Sequence, residues 1–221
     1  MKLYVSLFLI LALGVTGCSS SGQDKPEKPA RLLILDGMEA YDSGRYKDAL
    51  TSFEQMKNWY PFSKYAILAE LKIADANYHL QQYPEAIAAY EDFERLHPRN
   101  EAVPYVIYQI GRSYFEQIDT VDRDQKSAHN ALAAFRRLVN QFPEDQYSRS
   151  ARLHITSCQQ SIMGRDLYVG KFYFKTKQYD AALHRFESIV SQNPDVGYHH
   201  EALLHIARCR AYLKNQEGKA E

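Results

Sequence analysis

The feature that most constrains the fold is a residue pattern that occurs four times along this chain of 221 residues. Its centre is an alanine followed four residues later by an aromatic residue, and a proline stands twelve residues after the alanine. A small residue stands twelve residues before three of the four alanines. The alanines are Ala49, Ala86, Ala131 and Ala182, the aromatic residues Phe53, Tyr90, Phe135 and Phe186, the prolines Pro61, Pro98, Pro143 and Pro194, and the small residues Gly37, Ala74 and Gly170.

The spacing of these residues predicts pairs of antiparallel α-helices. Positions i and i+4 lie on one face of a helix, so the alanine and the aromatic residue of each copy share a face. A small residue lets the partner helix approach closely, and proline ends each copy because it cannot continue a helix. One helix pair cannot bury its own apolar face, whereas stacked pairs can. The pattern resembles tetratricopeptide repeats and predicts an all-α fold, a tetratricopeptide-repeat α-solenoid with a concave side.

The uneven spacing of the prolines predicts two departures from a regular solenoid. They are separated by 37, 45 and 51 residues, against about 34 in the plain repeat. The third copy therefore carries an insertion around residues 118–126, and residues 148–162 lengthen the first helix of the fourth copy into a rod that ends near Lys175. A further first helix is predicted over residues 199–213. We expect four full repeats and a truncated fifth, followed by a polar tail at residues 215–221.

The start of the chain predicts its compartment. An apolar run over residues 3–15 follows Lys2, and its 13 residues fall short of the roughly 20 that span a bilayer. The run is typical of a secretory signal, so residues 1–17 are expected to be a signal peptide. Val15-Thr16-Gly17-Cys18 resembles the lipobox of bacterial lipoproteins, which implies a covalent lipid on Cys18. An ordinary signal peptide with an incidental cysteine is the alternative.

Residues 18–29 are then a lipidated cysteine and a flexible tether, because they are small, polar and proline-containing. Ser19 stands where an aspartate suggests inner-membrane retention in many bacteria. The predicted location is therefore the periplasmic face of the outer membrane, with the lipid in its inner leaflet. Equal numbers of basic and acidic residues, 27 of each, argue against nucleic acid as a partner, since that binding depends on a basic face.

Several motifs beyond the repeat are more specific. Together with the lipobox they closely resemble the BamD family, tetratricopeptide-repeat lipoproteins of the outer-membrane β-barrel assembly machinery, and the resemblance covers the chain after the tether. The motifs are Tyr60-Pro61-Phe62-Ser63-Lys64-Tyr65-Ala66, His97-Pro98, Tyr105-Val106 with Tyr108 and Gly111, Asp122-Arg123-Asp124-Gln125, and Tyr179 with Ala181-Ala182 and Arg185.

The resemblance implies a non-enzymatic scaffold with two kinds of partner. The N-terminal repeats 1–3, residues 30–145, would receive unfolded outer-membrane proteins, and the C-terminal repeats 4–5, residues 146–214, would dock the BamA-type β-barrel insertase. Other lipoproteins of the machinery are further possible partners. The last helix of the family's fifth repeat is expected to be missing. No cofactor is implied apart from the lipid on Cys18.

Carried across by position, the resemblance also implies site residues. Arg185, in the second helix of repeat four, matches a family arginine at the insertase contact. Tyr65, Tyr105 and Tyr108 are placed in first helices, which line the concave groove. Asp122, Arg123 and Asp124, in the inserted loop, either order that loop locally or contact a partner.

Other interpretations of the chain stay open. Its repeats would equally suit an adaptor lipoprotein for peptidoglycan enzymes or division proteins, and a periplasmic hydrolase that uses His154 and Cys158 or His200 is a third possibility. The sequence carries no His-Glu-x-x-His, Walker, Gly-x-Ser-x-Gly or Gly-x-Gly-x-x-Gly motif. Cys158 and Cys209 are predicted to be buried free thiols, with a disulfide as the alternative. The spacings within His199, His200 and His205 scatter the rings around a helix, which favours solvated or capping roles over metal binding.

Overall fold

The computed structural model describes residues 28–191 and 195–218. Cys18, the signal peptide, most of the tether and Pro194 lie outside these residues. The described residues form nine α-helices and no strand. The helices are α1 (Ala30–Asp42), α2 (Tyr46–Trp59), α3 (Ala66–His79), α4 (Tyr83–Leu96), α5 (Val103–Phe115), α6 (Lys126–Gln141), α7 (Gln146–Lys175), α8 (Tyr179–Ser191) and α9 (His199–Glu217).

Pairs one and four close on the small residue and the aromatic ring that the repeat predicts. A Cβ atom added to Gly37 would lie 2.4 Å from the Phe53 ring, and one added to Gly170 would lie 2.7 Å from the Phe186 ring. The backbone of the first helix therefore packs directly on the ring from the second helix. Both rings are fully buried. The tetratricopeptide-repeat α-solenoid is confirmed, because consecutive helices contact one another along the chain.

The same turn joins the two helices of pairs one, two and four. Its central residue is Gly44, Gln81 or Lys177, each five residues before the alanine of its repeat and each with a positive φ of 60–73°. Glycine adopts this conformation without strain, whereas a residue with a Cβ pays about 1–2 kcal/mol. The turn therefore recurs because the geometry of the pair requires it, even where the chain carries no glycine.

Helices α2, α4 and α6 end two residues before a proline. Trp59 precedes Tyr60-Pro61, Leu96 precedes His97-Pro98, and Gln141 precedes Phe142-Pro143. Proline excludes the residue before it from the helical region and lacks the N–H that the next turn needs. The second helix of each of these pairs therefore ends at the same position of the repeat, and the next pair begins after the proline.

The third and fourth pairs depart from the regular repeat as predicted. A loop over residues 116–125 separates α5 from α6, and α7 is a single helix of 30 residues. The first half of α7 buries Ala151, Cys158 and Ile162 in the same core cluster as Phe135 of α6. Its second half buries Met163 and Leu167 with Phe186 of α8. One helix therefore completes the third pair and begins the fourth.

The predicted first helix after the fourth repeat is confirmed as α9, which extends four residues beyond the predicted 213. Ala202, Ile206 and Cys209 bury its inner side against α8. Cys158 and Cys209 are both buried free thiols in different core clusters, as predicted. Burial raises the pKa of Cys158 to about 12. Among the described residues, no helix combines the length and the apolar character needed to span a membrane.

Candidate functional site

The first helices of successive pairs touch through a continuous row of aromatic and charged side chains. This row is called the first-helix face below. It begins on α1, continues on α3 and α5, and ends on the first half of α7. Its members are Tyr41, Lys72, Asp75, Tyr78, Tyr105, Tyr108, Arg112, Tyr147 and His154.

Asp75 is the centre of the first-helix face and is only 2% exposed. Its Oδ1 accepts hydrogen bonds from the hydroxyls of Tyr90 and Tyr105, each at 2.7 Å. Its Oδ2 accepts from Lys72 Nζ at 2.8 Å. Gln109 Nε2 in turn donates to the Tyr105 hydroxyl at 3.1 Å. The carboxyl thus ties α3 to α4 and α5 and is satisfied on both oxygens.

Burial raises the pKa of the Tyr90 and Tyr105 hydroxyls well above the ordinary tyrosine value, and the nearby Asp75 carboxyl raises it further. Both hydroxyls therefore stay protonated and act as hydrogen-bond donors throughout the physiological pH range. Tyr105 also lines a groove of about 490 Å³, together with Lys72, Asp75 and Tyr147. The groove consequently presents two tyrosine rings and the Lys72 ammonium group.

The rest of the face is joined by similar contacts. Lys72 Nζ lies 4.5 Å from the centroid of the Tyr41 ring. Arg112 donates to the Tyr78 hydroxyl at 2.8 Å and to Glu116 at 2.7 Å. Burial raises the pKa of Tyr78 to about 12. The side chains are therefore held by one another before any ligand arrives.

Tyr105 and Tyr108 are brought together by α5, and Tyr147 of α7 contacts both rings at centroid distances of 5.3 and 5.4 Å. The Tyr108 hydroxyl also lies 3.2 Å from His154 Nε2. Tyr65 lies elsewhere. It precedes α3 instead of lying within it, and its ring packs against the core of the first helix pair. The expectation that all three tyrosines fall in first helices is thus wrong for Tyr65.

A second surface lies between the inserted loop and α8, more than one helix pair away along the chain. It is a cleft of about 710 Å³, called the distal cleft below, and it brings Asp124 and Arg185 together. Its charged lining residues are Asp124, Arg136, Arg165, Asp166 and Arg185, and His129 lines it as well.

Arg185 is held in place but stays accessible. Its side chain is 45% exposed, and its Nη1 donates to Asp166 Oδ1 at 3.1 Å. Ser188 donates to the other oxygen of Asp166 at 3.4 Å. A guanidinium group has five N–H donors, so the contact with Asp166 leaves donors for a partner. The ion pair with Asp166 holds Arg185 in the lining of the distal cleft and leaves some of its N–H groups available to a partner.

The inserted loop is ordered by its own side chains and by α7. Gln125 is buried and donates to the carbonyls of Thr120 and Arg123, while Ser161 of α7 donates to its amide oxygen at 2.5 Å. Arg165 of α7 donates to the Asp122 carbonyl at 2.6 Å.

The three predicted residues of the loop, Asp122, Arg123 and Asp124, each form a contact within the loop or at the start of α6. Asp124 accepts from the backbone N–H of Lys126 at the start of α6. Arg123 pairs with Asp119 at 3.3 Å. The Asp122 side chain is fully exposed and accepts from Thr120 at 2.5 Å, and that hydrogen bond lowers its pKa. Local ordering is therefore present, and only Asp124 of the three lines the distal cleft.

Sequence reasoning missed several residues of these surfaces, among them Asp75, Tyr147, Arg165 and Asp166. A signal existed for Asp75, because an acidic residue between Ala74 and Ala76 falls at a packing position of the repeat. Tyr147 and Arg165 carry no such signal, since their roles depend on the course of α7 and the inserted loop. Among the described residues, no group of His, Cys, Asp and Glu side chains is arranged to hold a metal ion.

The chain is similar to known outer-membrane assembly proteins. The family model described as YfiO, outer membrane lipoprotein, matches residues 26–221. The "Outer membrane protein assembly factor BamD" of Caulobacter vibrioides is 32% identical over 219 residues, covering 96% of this chain and 71% of the relative. The protein of the same name from Vibrio cholerae is 28% identical over 203 residues, covering 87% and 84%.

A tetratricopeptide protein of Thermus thermophilus is among the similar solved structures. Its TM-score is 0.46 at 17% identity, covering 84% of this chain and 99% of that one. The family model matches most of the chain, and the Caulobacter relative is aligned over nearly all of it. This chain therefore belongs to the BamD family of outer membrane lipoproteins.

Proposed function

We propose that this chain is a non-enzymatic scaffold in the assembly of outer-membrane proteins. A lipid on Cys18 holds it on the periplasmic face of the outer membrane. Unfolded β-barrel segments bind to repeats 1–3, and the BamA-type insertase docks on repeats 4–5. The observation that carries the proposal is that one solenoid presents two separate polar surfaces, the first-helix face and the distal cleft.

The first-helix face suits an extended, unfolded strand. Such a strand offers free backbone N–H and C=O groups and aromatic side chains in alternation. The Lys72 ammonium group, the Gln109 amide, and the hydroxyls and rings of Tyr105 and Tyr147 offer matching contacts. These groups are already held by Asp75 and by one another, so little side-chain entropy is lost on binding.

The distal cleft suits a folded partner with acidic side chains. Arg136, Arg165 and Arg185 line it together, against Asp124 and Asp166. Guanidinium groups recognise carboxylates through paired hydrogen bonds, which gives such contacts both strength and orientation. Arg185 is the best placed of the three because Asp166 already fixes its side chain.

The test is the charge reversal Arg185→Glu in the full-length lipoprotein. Repulsion from Asp166 and the loss of the guanidinium donors should weaken recovery of the insertase by about tenfold or more. Recovery is measured by co-purification from detergent-solubilised envelopes. The matched control is Arg95→Glu on α4, which breaks an exposed pair with Asp92 far from the cleft.

Both variants should retain the helical circular dichroism and the melting temperature of the parent within a few degrees. Undiminished insertase recovery with Arg185→Glu contradicts the docking assignment. Recovery of peptidoglycan enzymes without any insertase contradicts the function itself and favours the adaptor alternative.

A further inference from the structure

One end of the solenoid exposes an apolar surface that the repeat does not account for. At this proximal end α1 begins, α2 ends and α3 begins. Its large exposed apolar side chains are Leu32, Leu35, Trp59, Phe62, Ile67 and Leu68. The other end of the same helices is different, because its turns carry Ser43, Arg45, Gln81 and Gln82.

Phe62 is the most exposed of these side chains, at 101% of its reference area. It follows the helix-ending Pro61, and the residues at the same place after Pro98 and Pro143 are Arg99 and Glu144. Two sister repeats therefore carry charged residues where the first repeat carries a phenylalanine. The repeat architecture does not require an aromatic side chain there, and an exposed apolar group of this kind marks an interaction site.

Exposed basic residues are close in sequence to the apolar ones. Arg31, Lys57 and Lys64 are exposed, and none of them forms an ion pair with another described residue. Asp36, the acidic residue in the second turn of α1, is paired with Lys28. Aromatic side chains flanked by lysine and arginine are the composition that proteins place at an anionic lipid interface.

The first described residues, which precede α1, lie at the same end. The Tyr60 hydroxyl, two residues from Phe62, donates to the backbone carbonyl of Lys28 at 3.2 Å. Lys28 stands ten positions after Cys18, and this stretch reaches at most about 35 Å when fully extended. A lipid on Cys18 would therefore keep the proximal end within about 35 Å of the bilayer.

We propose that the proximal end is a second membrane contact, in which Phe62 and Trp59 enter the interface of an anionic phospholipid bilayer and Arg31, Lys57 and Lys64 face its headgroups. This inference rests on the lipid anchor in the proposed function. It adds that the solenoid is held in one orientation on the membrane, with the distal cleft directed away from it. A lipid and a folded surface acting together fix orientation, which a flexible tether alone does not.

Trp59 is the only tryptophan of the chain and so reports on this surface directly. The lipidated full-length protein is reconstituted in vesicles of phosphatidylethanolamine and phosphatidylglycerol, with and without lipids brominated in the upper acyl chain. Trp59 emission should move to shorter wavelength and be quenched by the brominated lipid. Phe62→Ser should remove about half or more of that quenching, because the second aromatic anchor is lost. Leu153→Ser, which changes another exposed apolar residue (76% exposed) in the first half of α7, should leave the quenching unchanged.

Flotation of the protein with the vesicles reports the anchor separately. A protein that floats but whose Trp59 is not quenched overturns the proximal contact alone and indicates a protein occupant for this surface. Equal quenching of the parent and Phe62→Ser also overturns it. A protein that does not float overturns both the anchor and the contact built on it.

Discussion

Asp75 is the residue on which the first-helix face depends most. It is almost completely buried, and its two oxygens accept from three side chains on three helices. A buried carboxyl is tolerated only where its oxygens accept enough hydrogen bonds. The buried donors around it likewise need an acceptor. Removing Asp75 would strand the buried hydroxyl of Tyr90 and free the ring of Tyr105.

We expect Asp75→Ala to lower the free energy of unfolding by about 2–3 kcal/mol, the cost of stranding buried donors in a network. Urea denaturation followed by circular dichroism measures it. The matched control is Asp92→Ala, whose pair with Arg95 is exposed on both sides and should change stability by less than about 0.5 kcal/mol. Equal effects of the two substitutions would show that Asp75 is not the organising residue described above.

At each of the two sites, the sequence predicted a binding residue but not the partner that orients it. Tyr105 and Arg185 were predicted because a family motif and the repeat register mark their positions. The partners that orient them, Asp75 and Asp166, were not predicted because each acts across helices that are distant in sequence. Tyr65 was misplaced for a different reason, because the helix after Pro61 begins only at Ala66.

At the scale of the helix pair, stability rests on the contact between a glycine and a ring. In the third pair, a Cβ added to Gly111 would lie 2.5 Å from Cε1 of the fully buried Phe135. The third pair keeps this contact although its alanine stands twenty residues after the glycine instead of twelve. The inserted loop therefore absorbs the extra length without disturbing the contact between the two helices.

We expect Gly111→Ala to destabilise the fold by about 1–3 kcal/mol, because the added methyl group overpacks the pair. Gly218→Ala is the control, since the nearest atom to its added Cβ is Lys214 O at 3.7 Å. Adding Phe135→Leu to Gly111→Ala should cost less than the two single changes together, because the smaller side chain makes room for the methyl group. Strict additivity would contradict the proposed contact. Thermal and urea denaturation provide the values.

Two histidines stack on the rings that close the third and fourth pairs. His154 lies on Phe135 with centroids 5.1 Å apart, and His205 lies on Phe186 at 4.7 Å, each nearly parallel. Burial lowers the pKa of both imidazoles below the ordinary histidine value. The folded protein thus holds them neutral, whereas the unfolded chain protonates them near pH 6.5. Their contribution to stability is present above that pH and is lost as the pH falls.

The melting temperature should therefore fall as the pH is lowered from 7.5 to 5.5. The double variant His154→Phe/His205→Phe keeps the ring stacking but cannot take up protons, so its decline should be shallower. His200→Phe, at an exposed position of α9, should keep the parent slope. A double variant with the parent slope would mean that other groups control the acid sensitivity. Differential scanning calorimetry across this range gives the comparison.

At the scale of the whole molecule, α7 fixes the distance between the two proposed binding surfaces. Its 30 residues span about 45 Å, and it carries Tyr147 of the first-helix face at one end and Asp166 of the distal cleft toward the other. Because it packs into two successive core clusters, it cannot bend without opening one of them. The solenoid would thus present a substrate to the insertase at a set separation.

Local rules explain why so much of this architecture was predictable. The alanine, ring and proline positions determine where α2, α4 and α6 lie, and the surplus residues identified both the inserted loop and the lengthened α7. The course of that loop was not predictable, because it is held by Ser161 and Arg165, which lie more than 35 residues later in the chain.

The central claim is that one scaffold engages substrate and insertase on separate surfaces. Its most direct test places a photo-activatable amino acid at position 105 or at position 185 of the lipoprotein in living cells. We expect position 105 to crosslink to unfolded outer-membrane proteins and position 185 to the insertase. Both positions crosslinking to the same partner, or to peptidoglycan enzymes, would contradict it.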